Sequence, residues 1–226
     1  MLDMSKETVG SWLVLVTVMI GLPTRASAQT VPASPIQTAS QMDETRLFFM
    51  PTARTLPAGK GFVGVNQIVM PFVEVGVTNR VTVGAGAPVF VLVGGPFWAT
   101  ARAQLIDRES FGAAVGILHF GTLSEQVGGV AYASATVGGA KGAVTVTAGR
   151  VYSGEGRGPA YGMIGGNWRI GRRTRFVTEN HIWREGGLVS GGIRYGGERF
   201  FADFGVTSAL FTNYPPYPVV NFVWRF

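Results

Sequence analysis

The stretch FWATARAQL, residues 97–105, decides the fold. Phe97, Ala99, Ala101, Ala103 and Leu105 alternate with Trp98, Thr100, Arg102 and Gln104. In an extended strand successive side chains point to opposite faces, so this segment has one wholly apolar face and one that carries an arginine and a glutamine. The same separation recurs downstream. Val144, Val146 and Ala148 alternate with Thr145 and Thr147; Val189, Gly191, Ile193 and Tyr195 with Ser190, Gly192 and Arg194; Phe200, Ala202, Phe204 and Val206 with Phe201, Asp203 and Gly205. A water-soluble sandwich also alternates, but its polar faces carry many Lys and Glu. Here those positions are mostly Gly, Thr, Ser and Arg, which suits a strand with one face in lipid and the other toward a lumen.

Working outward, twelve such segments of about ten residues begin near Gly61, Pro71, Val81, Phe97, Phe111, Val127, Ala143, Ala160, Arg175, Leu188, Phe200 and Pro218. This predicts an all-β chain, a transmembrane antiparallel up-and-down β-barrel of about twelve strands, with ten as the nearest alternative. An even count returns both barrel ends to the periplasm. Connections on one side are short: Asn79-Arg80, Asp107 to Ser110, Gly138 to Gly142, Gly171 to Thr174 and Gly196 to Arg199. Those on the other side, Gly94 to Pro96, Gly121 to Gln126, Ser153 to Gly158, Glu185 to Gly187 and Leu210 to Tyr217, are modest too. That argues against an adhesin or a receptor for a large ligand. Aromatic residues gather at segment ends, as membrane-interface girdles require, with only Tyr132 and Phe204 in mid-segment.

Upstream of the barrel, residues 1–28 read as a signal peptide: Lys6, an apolar run from Trp12 to Leu22, and the small-residue site Ala26-Ser27-Ala28, with cleavage expected before Gln29. Asp3 and Glu7 weaken the positive end, so Met4 is an alternative start. Residues 29–45 are rich in Pro, Ser, Thr and Gln and read as a mobile periplasmic leader. The barrel domain is taken as residues 46–226. At its start, Leu47, Phe48, Phe49 and Met50 form an apolar knot stopped by Pro51, which fits a strand start, a cap over one mouth, or a plug. The wider stretch, Arg46 to Gly61, looks like a family motif without an evident role.

Composition excludes several classes. The absence of cysteine removes disulfides, thiolate metal sites and a lipid-anchored N-terminal cysteine. No metal-ligand cluster or other cofactor signature is present. The mature net charge stays +6, but the arginines are spread along the chain, without the basic patch or module of a nucleic-acid binder. Thirty-three glycines, about twice the ordinary share, occur in runs that lack the Lys-Ser or Lys-Thr of a nucleotide loop. They fit strand bending and close stacking in a narrow barrel.

By parity, Glu74, Arg102, Arg169, Glu179, His181, Arg194, Asp203 and Arg225 face the lumen. Buried charges persist when paired, so an ion-pair network is expected to fix register, fill much of the lumen and leave a slight positive excess. The sequence offers one enzymatic alternative, a lipid hydrolase with Ser190 as nucleophile, His181 as base and Glu179 as orienting acid. Two residues fit the lipid face poorly. Arg150 shares parity with Val144 and Val146 and would snorkel from a strand end. Gln67 shares parity with Val63, Val65 and Val69 and points to a local bulge.

The last segment, Val219 to Phe226, puts Val220, Phe222, Trp224 and Phe226 on one face. It resembles the C-terminal signal of bacterial outer-membrane barrel proteins, read by their assembly machinery, and the remainder resembles small porin-like barrels in pattern. The resemblance implies outer-membrane localisation, contact with outer-membrane lipids and the assembly machinery, and possible small solutes in the lumen. The expected function is a non-enzymatic narrow passive pore or structural barrel, with a membrane-embedded hydrolase and a secreted soluble β-protein as alternatives. An unboiled sample in detergent should migrate differently from a boiled one in electrophoresis; recovery as a soluble protein with no shift would refute the barrel.

Overall fold

The structure is a computed structural model that describes residues 43–89, 95–122, 126–154, 156–197, 199–211 and 214–226. The expected signal peptide, and the leader up to residue 42, lie outside these. Among the described residues a 3-10 turn, Asp43–Thr45, precedes twelve strands. They are β1 (Gly61–Asn66), β2 (Met70–Thr78), β3 (Val81–Gly86), β4 (Phe97–Arg108), β5 (Phe111–Gly121), β6 (Gln126–Gly139), β7 (Gly142–Ser153), β8 (Gly156–Arg169), β9 (Thr174–Trp183), β10 (Gly186–Gly196), β11 (Phe200–Leu210) and β12 (Tyr217–Arg225). Each pairs antiparallel with its sequence neighbours, and β1 pairs with β12 to close the ring. The result is the twelve-stranded all-β up-and-down barrel expected from the alternation.

Most strands begin within two residues of the sequence-based starts. The larger departure is β8, which begins at Gly156 rather than near Ala160. Pro159 reads as a breaker, yet in this stretch β8 pairs only with β7, through Ser153↔Gly156 and Arg150↔Ala160. A proline without a donor is tolerated where the strand has one free edge.

Gln67 is not a lipid-facing bulge. Strand β1 ends at Asn66, and Gln67 and Ile68, with φ of 51° and 66°, form a tight left-handed turn into β2. The Gln67 N–H donates to Asn221 Oδ1 at 3.2 Å, and its Oε1 accepts from the Val220 N–H at 3.1 Å. The turn's polar groups are thereby satisfied on β12 instead of by water. Arg150 does lie outward and exposed near the end of β7.

Parity sorts the wall as anticipated. Val63, Val73, Val83, Ile117, Val146, Ile164 and Phe204 are all exposed on the outside, an apolar surface far larger than soluble monomers present. The packed core is inside the ring. One cluster joins Leu47, Phe48 and Met50 to Tyr132, Met163, Val177 and Val219; the other joins Leu56 to Phe62, Phe72, Phe201 and Val223. Both are built around residues that precede β1, which assigns the apolar knot its place.

Candidate functional site: the plugged lumen

Twelve strands enclose more space than the eight-stranded rings whose own side chains fill the interior. The segment 43–60 occupies that space. Its anchor is the near end of the barrel, where Gly61 and Phe226 exchange backbone hydrogen bonds of 3.0 Å each way. From there the chain runs as a narrow hairpin: Arg46 and Pro51 form an antiparallel bridge, Thr52 N–H donates to Thr45 O at 3.0 Å, and Leu47 N–H to Met50 O at 2.9 Å. Leu47 to Met50 form the tip. Of the three roles the sequence left open for this knot, the structure shows the plug.

Burying four apolar side chains, Leu47, Phe48, Met50 and Leu56, contributes about 1.5–3 kcal/mol each. Ordering the backbone costs about 1–2 kcal/mol per residue, so the polar ligatures decide whether the hairpin stays. Beyond the Ala58–Gly76 bridge at its base the segment has, among the described residues, no ladder with the wall, and each buried N–H and C=O needs a partner from wall side chains. Glu179 Oε2 accepts from the N–H groups of Phe49 and Met50, at 2.9 and 3.1 Å. Arg194 Nη2 donates to Leu47 O at 2.6 Å and its Nη1 to Arg46 O at 3.2 Å. Asn221 Nδ2 donates to Phe48 O at 3.1 Å. On the returning arm, Ala53 N–H donates to Thr136 Oγ1 and Leu56 N–H to Thr82 Oγ1, both at 2.9 Å.

Two lumen-facing glycines make this approach possible. A Cβ on Gly76 would lie 2.2 Å from Pro57 O, and one on Gly165 would lie 2.6 Å from Leu47 Cδ1. At the near end Arg54 reaches Glu109 O and Gly138 O in two wall turns, at 2.9 and 2.8 Å, and pairs with Glu44 at 3.5 Å. Burial pushes the Glu44 carboxyl above its ordinary range, against the opposing pull of Arg54, Arg175 and Arg169.

The residues assigned to the lumen by parity form separate groups. Arg194 and Asp203 form a fully buried bidentate pair, 2.6 and 3.1 Å, with Asn221 donating to Asp203 at 3.3 Å. Arg102 and Glu74 approach to 3.9 Å. His181 Nε2 lies 2.8 Å from Glu179 Oε1, while its Nδ1 is 2.7 Å from the Tyr161 hydroxyl. Arg225 donates to Gly197 O at 2.5 Å and lies 4.6 Å from the Phe201 ring centre, opposite Arg194 at 4.3 Å. Arg169 is exposed at the near end of β8. Of the hydrolase constellation only the acid–base half is assembled: His181 Nε2 meets Glu179, but its Nδ1 faces Tyr161 rather than Ser190, and Ser190 Oγ accepts from Thr207 at 3.0 Å.

Sequence reasoning missed Asn66, Asn221, Thr82, Thr136 and Arg175, all buried on the lumen side. Parity would have found the four neutral ones had they been weighed with charges, and Arg175 shares the parity of Glu179. Arg46 lies on no strand, so parity is silent about it. It is buried, donates to Phe48 O at 2.7 Å and Asn66 Oδ1 at 3.0 Å, and stacks 4.4 Å from the Phe72 ring centre.

Removing the acceptor at the tip should release the hairpin. Leaving buried partners uncompensated costs about 3–5 kcal/mol, so Glu179→Leu is expected to undock it while Glu179→Gln, which keeps an acceptor oxygen, undocks it far less. The chain has no cysteine, so Met50→Cys supplies a single thiol whose maleimide reactivity reports docking. Equal labelling of the parent and the Glu179→Leu chain would show that Glu179 does not hold the tip.

No family model matches the chain, and no curated protein matches it. Solved structures do. A KdgM porin aligns over 74% of this chain and 98% of its own with a TM-score of 0.57 at 7% identity. The KdgM porin in complex with disordered oligogalacturonate gives the same coverage and TM-score at 8% identity. A NanC porin structure aligns over 74% of this chain and 97% of its own, with a TM-score of 0.51 at 5% identity. At such identities the likeness is one of fold, and the fold of this chain is that of porin barrels.

Proposed function

We propose that the chain is an integral protein of the bacterial outer membrane, a porin-like passive channel that its own N-terminal hairpin holds narrow, and that it performs no covalent chemistry. The observation that carries this is the hairpin, docked through wall side chains inside a closed barrel of porin fold. An apolar exterior surrounding a polar, arginine-bearing lumen fits a passage for small solutes across lipid. The hydrolase reading lacks its nucleophile–base contact, and a secreted soluble protein would not present this outer surface.

Among the described residues the buried lumen charges are Arg46, Arg102, Arg175, Arg194 and Arg225 against Glu44, Glu74, Glu179 and Asp203. The single positive excess favours anions, since charges lining a pore set selectivity. One of the fold neighbours was solved with oligogalacturonate, an acidic sugar polymer; for this chain small anionic solutes are the proposed class. In planar bilayers the intact protein should conduct weakly, and a chain lacking residues 43–58 should conduct severalfold better with anion-favouring reversal potentials. Glu179→Leu gives the same test without a deletion. Conductance indifferent to both changes would refute a plugged channel.

The outward face of β12 carries Phe222, Trp224 and Phe226, all exposed, in line with Val220. This row is our proposed assembly signal for the outer-membrane insertion machinery. Phe226→Ala should lower the fraction inserted in cells while leaving refolding into detergent intact, as read by heat-dependent mobility in both settings; equal loss in both would make the residue merely structural.

A further inference from the structure

The barrel rim has a step between β8 and β9. Strand β9 ends at Trp183, paired with Tyr161, so Gly156 to Ala160 stand above it with β7 as their neighbour on one side only. That is a drop of about 17 Å along the strand at 3.4 Å per residue. The step holds a cavity of about 820 Å³ bordered by Pro159, Ala160, Gly162, Ile182, Trp183 and Arg184. Ala160, Gly162 and Ile182 belong to the lipid-facing parity, whereas Trp183 belongs to the lumen-facing one. The cavity therefore runs across the rim from lipid face to mouth.

One cation, Arg184, borders it, and a second, Arg150, lies one strand away on β7. Arg150, the residue that sits awkwardly on the lipid face, is the register partner of Ala160, and Arg184 begins the β9–β10 turn; both are exposed. Neither has a hydrogen bond or ion pair to a described residue, and one acid, Glu185, is exposed beside Arg184 and borders the cavity with it. Two arginines and one carboxylate leave a net positive rim above an apolar trough. Ala160 and Gly162 keep the β8 side of the trough low and Ile182 forms the other side: a Cβ on Gly162 would meet Ile182 Cγ2 at 3.1 Å. A free anion needs only the arginines and has no use for the trough. A lipid with a phosphorylated headgroup uses both, with the acyl chain along Gly162 and Ile182 and phosphate oxygens receiving the guanidinium donors.

We propose that this step is a binding site for a phosphorylated acyl lipid of the outer leaflet, held by Arg150 and Arg184. The site rests on the outer-membrane reading above. The test reconstitutes the full mature chain in phosphatidylcholine nanodiscs doped with a phosphorylated glycolipid, or with the same glycolipid stripped of phosphate, and counts retained lipid by native mass spectrometry. The phosphorylated form should be retained, the stripped form lost, and millimolar inorganic phosphate should not displace it. Arg150→Gln with Arg184→Gln should cut retention about tenfold, and Gly162→Leu, which fills the trough, should do likewise with both arginines intact. Retention unchanged in these variants, equal retention of the stripped lipid, or displacement by phosphate alone would each overturn the site. Heat-dependent mobility, run alongside, separates the two readings: a sample without it fails as a barrel, whereas a barrel that retains no phosphorylated lipid fails only here.

Discussion

Closure at twelve strands sets the problem that the rest of the molecule solves. The ring is too wide for its wall side chains to fill, and many of the lumen-facing positions are glycine, which widens it further. An empty ring of this size would hold water against its own apolar lumen residues, Phe62, Phe72, Val177 and Phe201. The hairpin supplies the missing apolar partners. Both core clusters depend on it, so the barrel's interior packing and the filling of its lumen are one property.

What keeps a hairpin in a lumen is the accounting of backbone polar groups. A strand in the wall meets its donors and acceptors through its neighbours; a hairpin inside meets none unless side chains reach it. Glu179, Arg194, Asn221, Thr136 and Thr82 come from five different strands and act as surrogate ladder partners. Asp203 fixes Arg194 from one side and Asn221 from the other, so the carbonyl-binding groups are themselves held in place. The charges therefore do more than neutralise one another. Arg194 spends two donors on Asp203 and two on hairpin carbonyls, and Glu179 divides its oxygens between His181 and the tip. Among the described residues the lumen charges thus form local groups, and those of Glu179 and of Arg194 with Asp203 face hairpin backbone.

The wall was legible in the sequence because its rule is one of period two: FWATARAQL, AVTVTA and FFADFGV each declare which face meets lipid. The strand count followed from the turns. The plug was legible only as one of three readings, because residues 46–60 obey no period; their side chains answer to a lumen assembled from strands far along the chain, Glu179 lying 130 residues from Phe49. Gln67 was misread for a related reason. Its parity matched the valines before it, and only the reciprocal bonds to β12 reveal that the strand had already turned. Neutral lumen groups such as Asn221 and Thr136 were visible but undervalued beside the charges.

The same argument accounts for where the wall is irregular. A ladder position can be given up at low cost only where its groups find another partner or meet polar surroundings. At the β1–β2 turn Gln67 and Asn221 provide the partners, so the turn needs no loop. At the β8 step Pro159 removes one donor outright, and the remaining edge lies at a rim where aromatic and basic side chains collect. At both places irregular backbone sits where a polar substitute is at hand, and the β8 step also opens an apolar trough. A substitute that carries phosphate and an acyl chain satisfies both demands at once, which water alone does not.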